Sequence, residues 1–405
     1  REYQKMIVVA PDGEKLNLMP LNIGPSHGAT HGCLRYMTAL DGENIVASVS
    51  EIGYLHRGFE KMVERGTWQQ VVPYTDRLNY CSAMMNNFAY CRAVEELIGV
   101  EIPERAKVLR VIVNELSRIA DHFICVAAAS QDLGSTTGFF YMFDSREMTM
   151  VIWEKLTGAR LTNAYGRIGG LYRDTYEGFE EDVLAVLKQV DKNLHDLHAC
   201  FDRNRIFLDR TVGVGKISAK DATAWGWTGP CLRATGVASD LRKDEPYFGY
   251  ETYDWNVVTG TEGDVFDRLM VRLAEAEESC KIIRQALERL KSLKGCPVNT
   301  NDPRVRVPDH EHAYQDMESL IGRFKTVLDG VRVPKGEFYQ GSEVANGELG
   351  FSVVSDGSGK PWRVKVRPPC FPHYAAFDKM VEGALLADSV ATLSSLNIIA
   401  GELDR

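Results

Sequence analysis

His27 and His31 stand four apart in GPSHGATHG, residues 24 to 32, with Cys33 immediately after. Three chemistries could use such a pair. A phosphate loop needs a Gly-Lys pair closing a glycine-rich turn, and neither Gly24 nor Gly28 leads to one. A zinc hydrolase helix sets two histidines one turn apart beside a glutamate. The spacing fits, but Pro25, Gly28 and Gly32 oppose a helix and no acid lies between. Two readings remain. One is a loop holding two imidazoles where glycines let a ligand approach the backbone closely. The other is a pair of histidines that only hydrogen-bond within a turn.

Other metal-like residues are Asp309, His310, Glu311 and His312, in KGCPVNTNDPRVRVPDHEH, residues 294 to 312. Alternate residues of an extended loop can chelate, but a hydrated surface loop is the default for so many turn formers. The nine cysteines form no C-x-x-C pair, which removes zinc knuckles and redox dithiols. Scattered thiols without an apolar leader suggest a reducing, cytosol-facing compartment. A net charge of -9 disfavours nucleic acid as partner. With 44% hydrophobic and 25% charged residues the chain has globular composition. Its longest uninterrupted apolar run is Phe123 to Ala129, far short of the roughly 18 residues that span a bilayer.

The elements that must position these side chains are of two kinds. Between Leu16 and Ile52, apolar runs flank Asp41-Gly42, which predicts a small N-terminal sheet. Val108, Ile112, Leu116, Ile119 and Phe123 then recur at three and four after Pro103, a buried-face helix. A second helix is predicted over Glu177 to Phe207 as one long element, and a third over Leu269 to Leu290, packed in a bundle. Phe351 to Val354 and Trp362 to Val366 flank Asp356-Gly357-Ser358-Gly359 as a second hairpin. A helix or pair of turns follows from Tyr374. The expected class is α+β, mainly α, a helical core with small β regions at each end. The expected divisions are 1–55, 56–330 and 331–405.

GPSHGATHGCLR resembles the GPxHPxxHGxLR signature of the large hydrophilic subunit of respiratory complex I, the D-type subunit of NADH:quinone oxidoreductase. That family is related to the nickel-iron hydrogenase large subunit. The likeness continues in order through EIGYLHRGFEKM at 51, PYTDRLNYCSAMMNN at 73, QDLGSTTGFFYMF at 131, RIGGLYRD at 167, DLRKDEPY at 240, SDGSGKPWRVKVRPP at 355 and the GELDR ending. It implies a hydrogenase-like fold. Hydrogenases hold nickel and iron through two C-x-x-C pairs, whose counterparts are Asn79 and Ser82, and Ile399 and Glu402. All four thiolates are absent, so no metal is expected and hydrogenase activity is excluded. An emptied cavity facing a quinone headgroup is expected in its place.

The resemblance implies that His31 and Tyr80 bind and protonate the quinone, with Asp132 fixing the histidine's tautomer, and that His27 and Gly28 belong to the quinone loop. Arg57, Arg77 and Thr162 map near a terminal 4Fe-4S cluster held by a neighbouring subunit. Read alone, Tyr80 is a packing aromatic, Asp132 a helix cap, and Arg57 a surface group paired with Glu60 or Glu64. Implied partners are the iron-sulfur subunit, other hydrophilic-arm subunits, a membrane-arm subunit at the quinone tunnel mouth, and quinone itself. The donor, NADH in the commonest case, binds elsewhere, and this chain alone holds no cofactor. The family setting is peripheral, on the cytoplasmic side of a bacterial inner membrane, coupled to proton translocation. A silent scaffold in a ferredoxin- or deazaflavin-dependent relative is the alternative.

Two departures carry expectations. Gly28 replaces the usual proline, which predicts a more mobile loop. Thr162 stands where many relatives have histidine, and threonine cannot titrate, which predicts a cluster potential nearly independent of pH between 6 and 8.

Overall fold

The computed structural model describes residues 18–405 except residue 309, and of residues 310–312 the backbone alone. Strands β1 (Met19–Ile23), β2 (Arg35–Asp41) and β3 (Asn44–Glu51) form an antiparallel sheet in that order. Asp41 faces Asn44, so the hairpin loop is two residues long, and Gly42 supplies its φ of 60°.

The helical core begins with α1 (Ala83–Ile98), which ends on Gly99 at φ 68°. Helix α2 (Glu104–Asp132) follows Pro103 and buries Val108, Ile112, Leu116, Ile119 and Phe123. Next come α3 (Thr136–Thr157), α4 (Phe179–Phe201) and α5 (Arg205–Thr211). The single helix expected over 177–207 is therefore two. Asn204 breaks it by capping a new start, accepting from Ile206 N at 3.0 Å and Phe207 N at 3.3 Å. Phe207 stacks on Phe201 with ring centroids 4.7 Å apart, so the apolar period runs on across the break. That continuity hid the break in the sequence.

Helix α6 (Val265–Ser292) lies along α2, with α3 and α4 closing a bundle around one apolar core. Helix α2 is buried on nearly every side, charges included. Glu115 meets Arg118 and Arg242, each at 3.2 Å, while Arg233 binds Glu275 at 2.7 Å and Glu343 at 2.8 Å. A buried charge without a partner costs several kcal/mol, so this pairing is a condition for surrounding α2 with protein.

After α6 the loop is shorter than expected, because α7 (His310–Gln315) starts inside it, and α8 (Met317–Leu328) follows. The side chains of the candidate metal group 309–312 lie outside the described residues. Strands β4 (Gly336–Val344), β5 (Gly347–Ser355) and β6 (Arg363–Arg367) form another three-stranded antiparallel sheet, against α1. The expected hairpin is β5–β6, with Phe351 opposite Val366; strand β4 was not anticipated. Two short helices, then α9 (Leu386–Leu396) and the single turn α10 (Ala400–Leu403), complete the described chain. Among the described residues no helix is long and apolar enough to cross a membrane.

Candidate functional site

The histidine loop is a turn of 3-10 helix over Gly28–Thr30. His27 caps it, its Nδ1 accepting from Ala29 N at 3.2 Å, and Thr30 Oγ1 ties it down at 2.7 Å from the His27 carbonyl. Gly28 has open space where a side chain would stand. His31 follows at φ 53°, a left-handed backbone that costs a residue with a Cβ about 1–2 kcal/mol. This conformation accompanies a specific contact. His31 Nε2 lies 2.5 Å from Oδ2 of Asp132, the last residue of α2. Their side chains are 23% and 18% exposed, dry enough to strengthen the pair and open enough to be reached.

Tyr80 sits half-buried beside this loop. Burial pushes its phenol up to about 12, reinforced by Cys81 and then by Cys33, two residues past His31. Its hydroxyl has no hydrogen-bond partner among the described residues, so it is a protonated, unengaged donor at neutral pH. Its ring packs by α10 at Gly401. A Cβ there would stand 2.5 Å from the Arg77 carbonyl oxygen and 2.9 Å from that of Leu78, so only glycine lets the turn dock.

Asn79 Nδ2 and Ser82 Oγ both donate to Oδ2 of Asp121, at 2.8 and 2.7 Å, and Asn397 Nδ2 donates to its Oδ1 at 2.7 Å. Three neutral donors thus converge on one fully buried carboxylate. Glu402 is also fully buried; Oε1 accepts from Cys370 N at 3.0 Å, while Oε2 has no partner. Burial raises its carboxyl to about 7, with Asp121 adding to the shift. Among the described residues no three His, Cys, Asp or Glu side chains gather into a metal-sized group. Sequence reasoning missed Asp121. The available signal was an acid in IADHFICVAAA, on a helix too apolar to leave it in water.

A second group forms around Arg57. Its guanidinium is half-buried, Nη2 is shielded without a hydrogen-bond partner, and burial followed by the neighbouring Arg77 lowers its pKa. The expected pairing with Glu60 or Glu64 is not formed. Lys61 takes Glu64 at 2.5 Å, and the Val366 amide takes Glu60 at 3.0 Å. Arg77 donates to the Pro73 carbonyl at 2.6 Å and stands 3.8 Å from Asp76. Asp76 is buried, which raises its carboxyl to about 6 despite a hydrogen bond from Asn87 and the charges of Arg77 and Arg167. Asn87 also accepts from Tyr165 N at 3.1 Å and so links Asp76 to the loop that carries Thr162. Thr162 is half-buried and hydrogen-bonds neither arginine. A cleft of about 390 Å³ opens nearby, lined by Gly53, His56, Gly58, Glu60, Phe371 and Arg405 among others.

The fold thus joins His31 to Asp132 directly, with Tyr80 beside their loop, and gathers Arg57 and Arg77 separately. Comparison with known proteins places these groups in context. Residues 132–405 match the family described as respiratory-chain NADH dehydrogenase, 49 Kd subunit. A Bdellovibrio bacteriovorus protein, named as the C/D subunit of an NADH-quinone oxidoreductase, is 51% identical over 97% of this chain and 70% of its own length. The Sorangium cellulosum protein named as a D-type subunit of that oxidoreductase is 49% identical, over 96% of this chain and 95% of its own. Its namesake from Geobacter metallireducens is 48% identical, over 96% and 99%.

Proposed function

Since the chain belongs to the respiratory-chain NADH dehydrogenase 49 Kd subunit family, we propose that His31, Tyr80 and Asp132 form the headgroup end of its quinone site. The short His31–Asp132 contact beside an unengaged tyrosine is the observation that carries this reading. Quinone reduction to quinol takes two electrons and two protons. His31 and Tyr80 each present one N–H or O–H to a quinone oxygen. With its pKa near 12, Tyr80 keeps its proton against a neutral carbonyl and releases it once electrons have made the oxygen comparably basic. Asp132 holds the imidazole in place and stabilises its positive form. Gly28 and His27 shape the loop around it.

The electrons would come from a 4Fe-4S cluster held by a neighbouring subunit. Arg57, whose Nη2 has no hydrogen-bond partner among the described residues, and Arg77 would offer fixed positive charge to it. Thr162 contributes no titrating group there. The chain would then be peripheral on the cytoplasmic side of a bacterial inner membrane, held by a membrane-arm subunit and coupled through it to proton translocation, on a hydrogenase-like fold.

His31→Ala and Tyr80→Phe, made in the assembled complex, test the reading. Each should lower quinone reduction by roughly 10²–10⁴-fold, the range for a lost proton donor, with assembly intact. Unchanged quinone reduction in a normally assembled complex leaves these residues a structural role only.

A further inference from the structure

Helix α8 faces the wrong way for a helix that ends at its own protein's surface. Surface helices turn an apolar stripe inward and a polar face to water. In α8 the half-buried positions are Ser319, Gly322, Arg323 and Thr326. Arg323 donates to the Pro308 carbonyl at 2.7 Å, and a Cβ on Gly322 would stand 3.7 Å from the Pro308 ring. Met317, Leu320, Ile321, Phe324, Val327 and Leu328 recur at three and four along the opposite face. They are exposed by between 47% at Ile321 and 75% at Met317, and no residue of α8 is fully buried. By contrast, α4 buries Val183, Val186, Leu187, Val190, Leu194 and Leu197. Single exposed apolar residues are ordinary, but six on one stripe mark a contact surface.

We propose that this stripe docks in an apolar groove of another subunit of the same assembly, with Phe324 as its central anchor. The proposal rests on the reading above only in placing the chain within a larger respiratory assembly, not on quinone chemistry.

The charges around the stripe select this occupant. Arg323 and Lys325 flank it on opposite sides, Glu318 lies on Lys325's side about two turns earlier, and Asp329 closes the C-terminal end. A mixed-sign border matches the polar rim of a protein interface. An anionic bilayer would be repelled by Glu318 and Asp329, since helices lying in a membrane surface concentrate lysine and arginine on their polar faces. A second copy fits poorly as well. Antiparallel self-pairing about the middle of α8 would bring Arg323 of each copy toward the two-fold axis. The partner's groove therefore has aliphatic or aromatic walls, carboxylates where Arg323 and Lys325 fall, and a cation facing Glu318.

The test uses the assembled complex carrying photoactivatable benzoylphenylalanine in place of Phe324. Irradiation should join this chain to one co-purifying subunit, while the same group in place of Leu184, exposed on α4, should not give that product. Phe324→Asp should reduce retention of that subunit about tenfold or more, as expected for loss of a hot-spot aromatic. The amount of this chain retained with the other subunits of the complex should be unchanged, because the side chain is not needed inside its own fold. Cross-links only to lipid, only to a second copy, or to nothing in an assembled complex overturn the proposal, as does parental retention by Phe324→Asp. None of these readouts depends on the outcome at His31 or Tyr80.

Discussion

His31 and Asp132 are 101 positions apart in the chain, yet Nε2 of one lies 2.5 Å from Oδ2 of the other. The contact ties the loop between β1 and β2 to the end of α2, so the sheet region and the bundle meet at one short hydrogen bond. Removing its charge while retaining an acceptor separates electrostatics from geometry. Asp132→Asn in the assembled complex should lower quinone turnover at least tenfold with the complex intact, because an amide orients an imidazole but does not stabilise its positive form. Turnover equal to the parent would show that the carboxylate's charge is irrelevant to the reaction.

Asp121 supports the other side of the site. Asp121→Leu leaves Asn79 and Ser82 as buried donors without an acceptor, and Asn397 with only its bond to Asn346 Oδ1. At about 1–3 kcal/mol for each of the two orphaned groups, the chain should lose roughly 2 kcal/mol or more, measured by denaturant unfolding. Asp121→Asn should lose less, since one oxygen still accepts. Equal stability of all three proteins would remove Asp121 from its structural role.

Glu402 sets a pH dependence of stability. Its carboxyl is raised from 4.5 to about 7 by burial, so the folded protein holds a proton that the unfolded chain gives up. The stability from this group is full below about pH 4.5, is lost as pH rises toward 7, and stays lost above it. The cost in alkaline buffer is roughly 3 kcal/mol. Glu402→Gln keeps the acceptor for Cys370 N and carries no charge. Unfolding at pH 5 and pH 8 should therefore show the variant gaining far more on the parent at the higher pH. A gain of equal size at both would point to packing, not ionisation.

The redox behaviour near Arg57 follows from which groups titrate there. Thr162 supplies no proton, while Asp76, at about 6, sits beside Arg77 and is linked through Asn87 to the Thr162 loop. Asp76 is largely ionised above pH 7. Potentiometric titration of the terminal cluster in the complex should give a slope well below the one-proton value of about 59 mV per pH unit between pH 7 and 8. It should steepen toward pH 6, and Asp76→Asn should flatten that part. A full one-proton slope between pH 7 and 8 would mean that another group titrates with the cluster.

Periodicity made α2 and α6 legible because their apolar positions repeat without interruption over many turns. The same rule misled at Phe201 and Phe207, whose stacking preserves the period across a real break. Strand β4, GEFYQGSEV, carries no alternation to read, because glycines take two of its places and its second half is buried on both faces. At the candidate site, resemblance supplied His31, Tyr80 and Asp132. It did not supply Asp121, since no local pattern tells that three donors from α9's end and the Tyr80 segment will meet one acid. Charges on an all-round buried helix were the physical clue, and pairing them needs the third dimension.

Gly32 and Gly401 have a bearing on how the protein is made. A Cβ on Gly32 would press to 3.1 Å from that of Ala400, and Gly401 lies flush on the backbone of Arg77 and Leu78. The histidine loop and the tyrosine segment are thus translated early and wait for residues translated long afterwards before they are locked together. Contacts of such sequence separation form late in folding. A ribosome-bound or half-folded chain holds His31 and Tyr80 but not their arrangement, which arrives only with the finished fold.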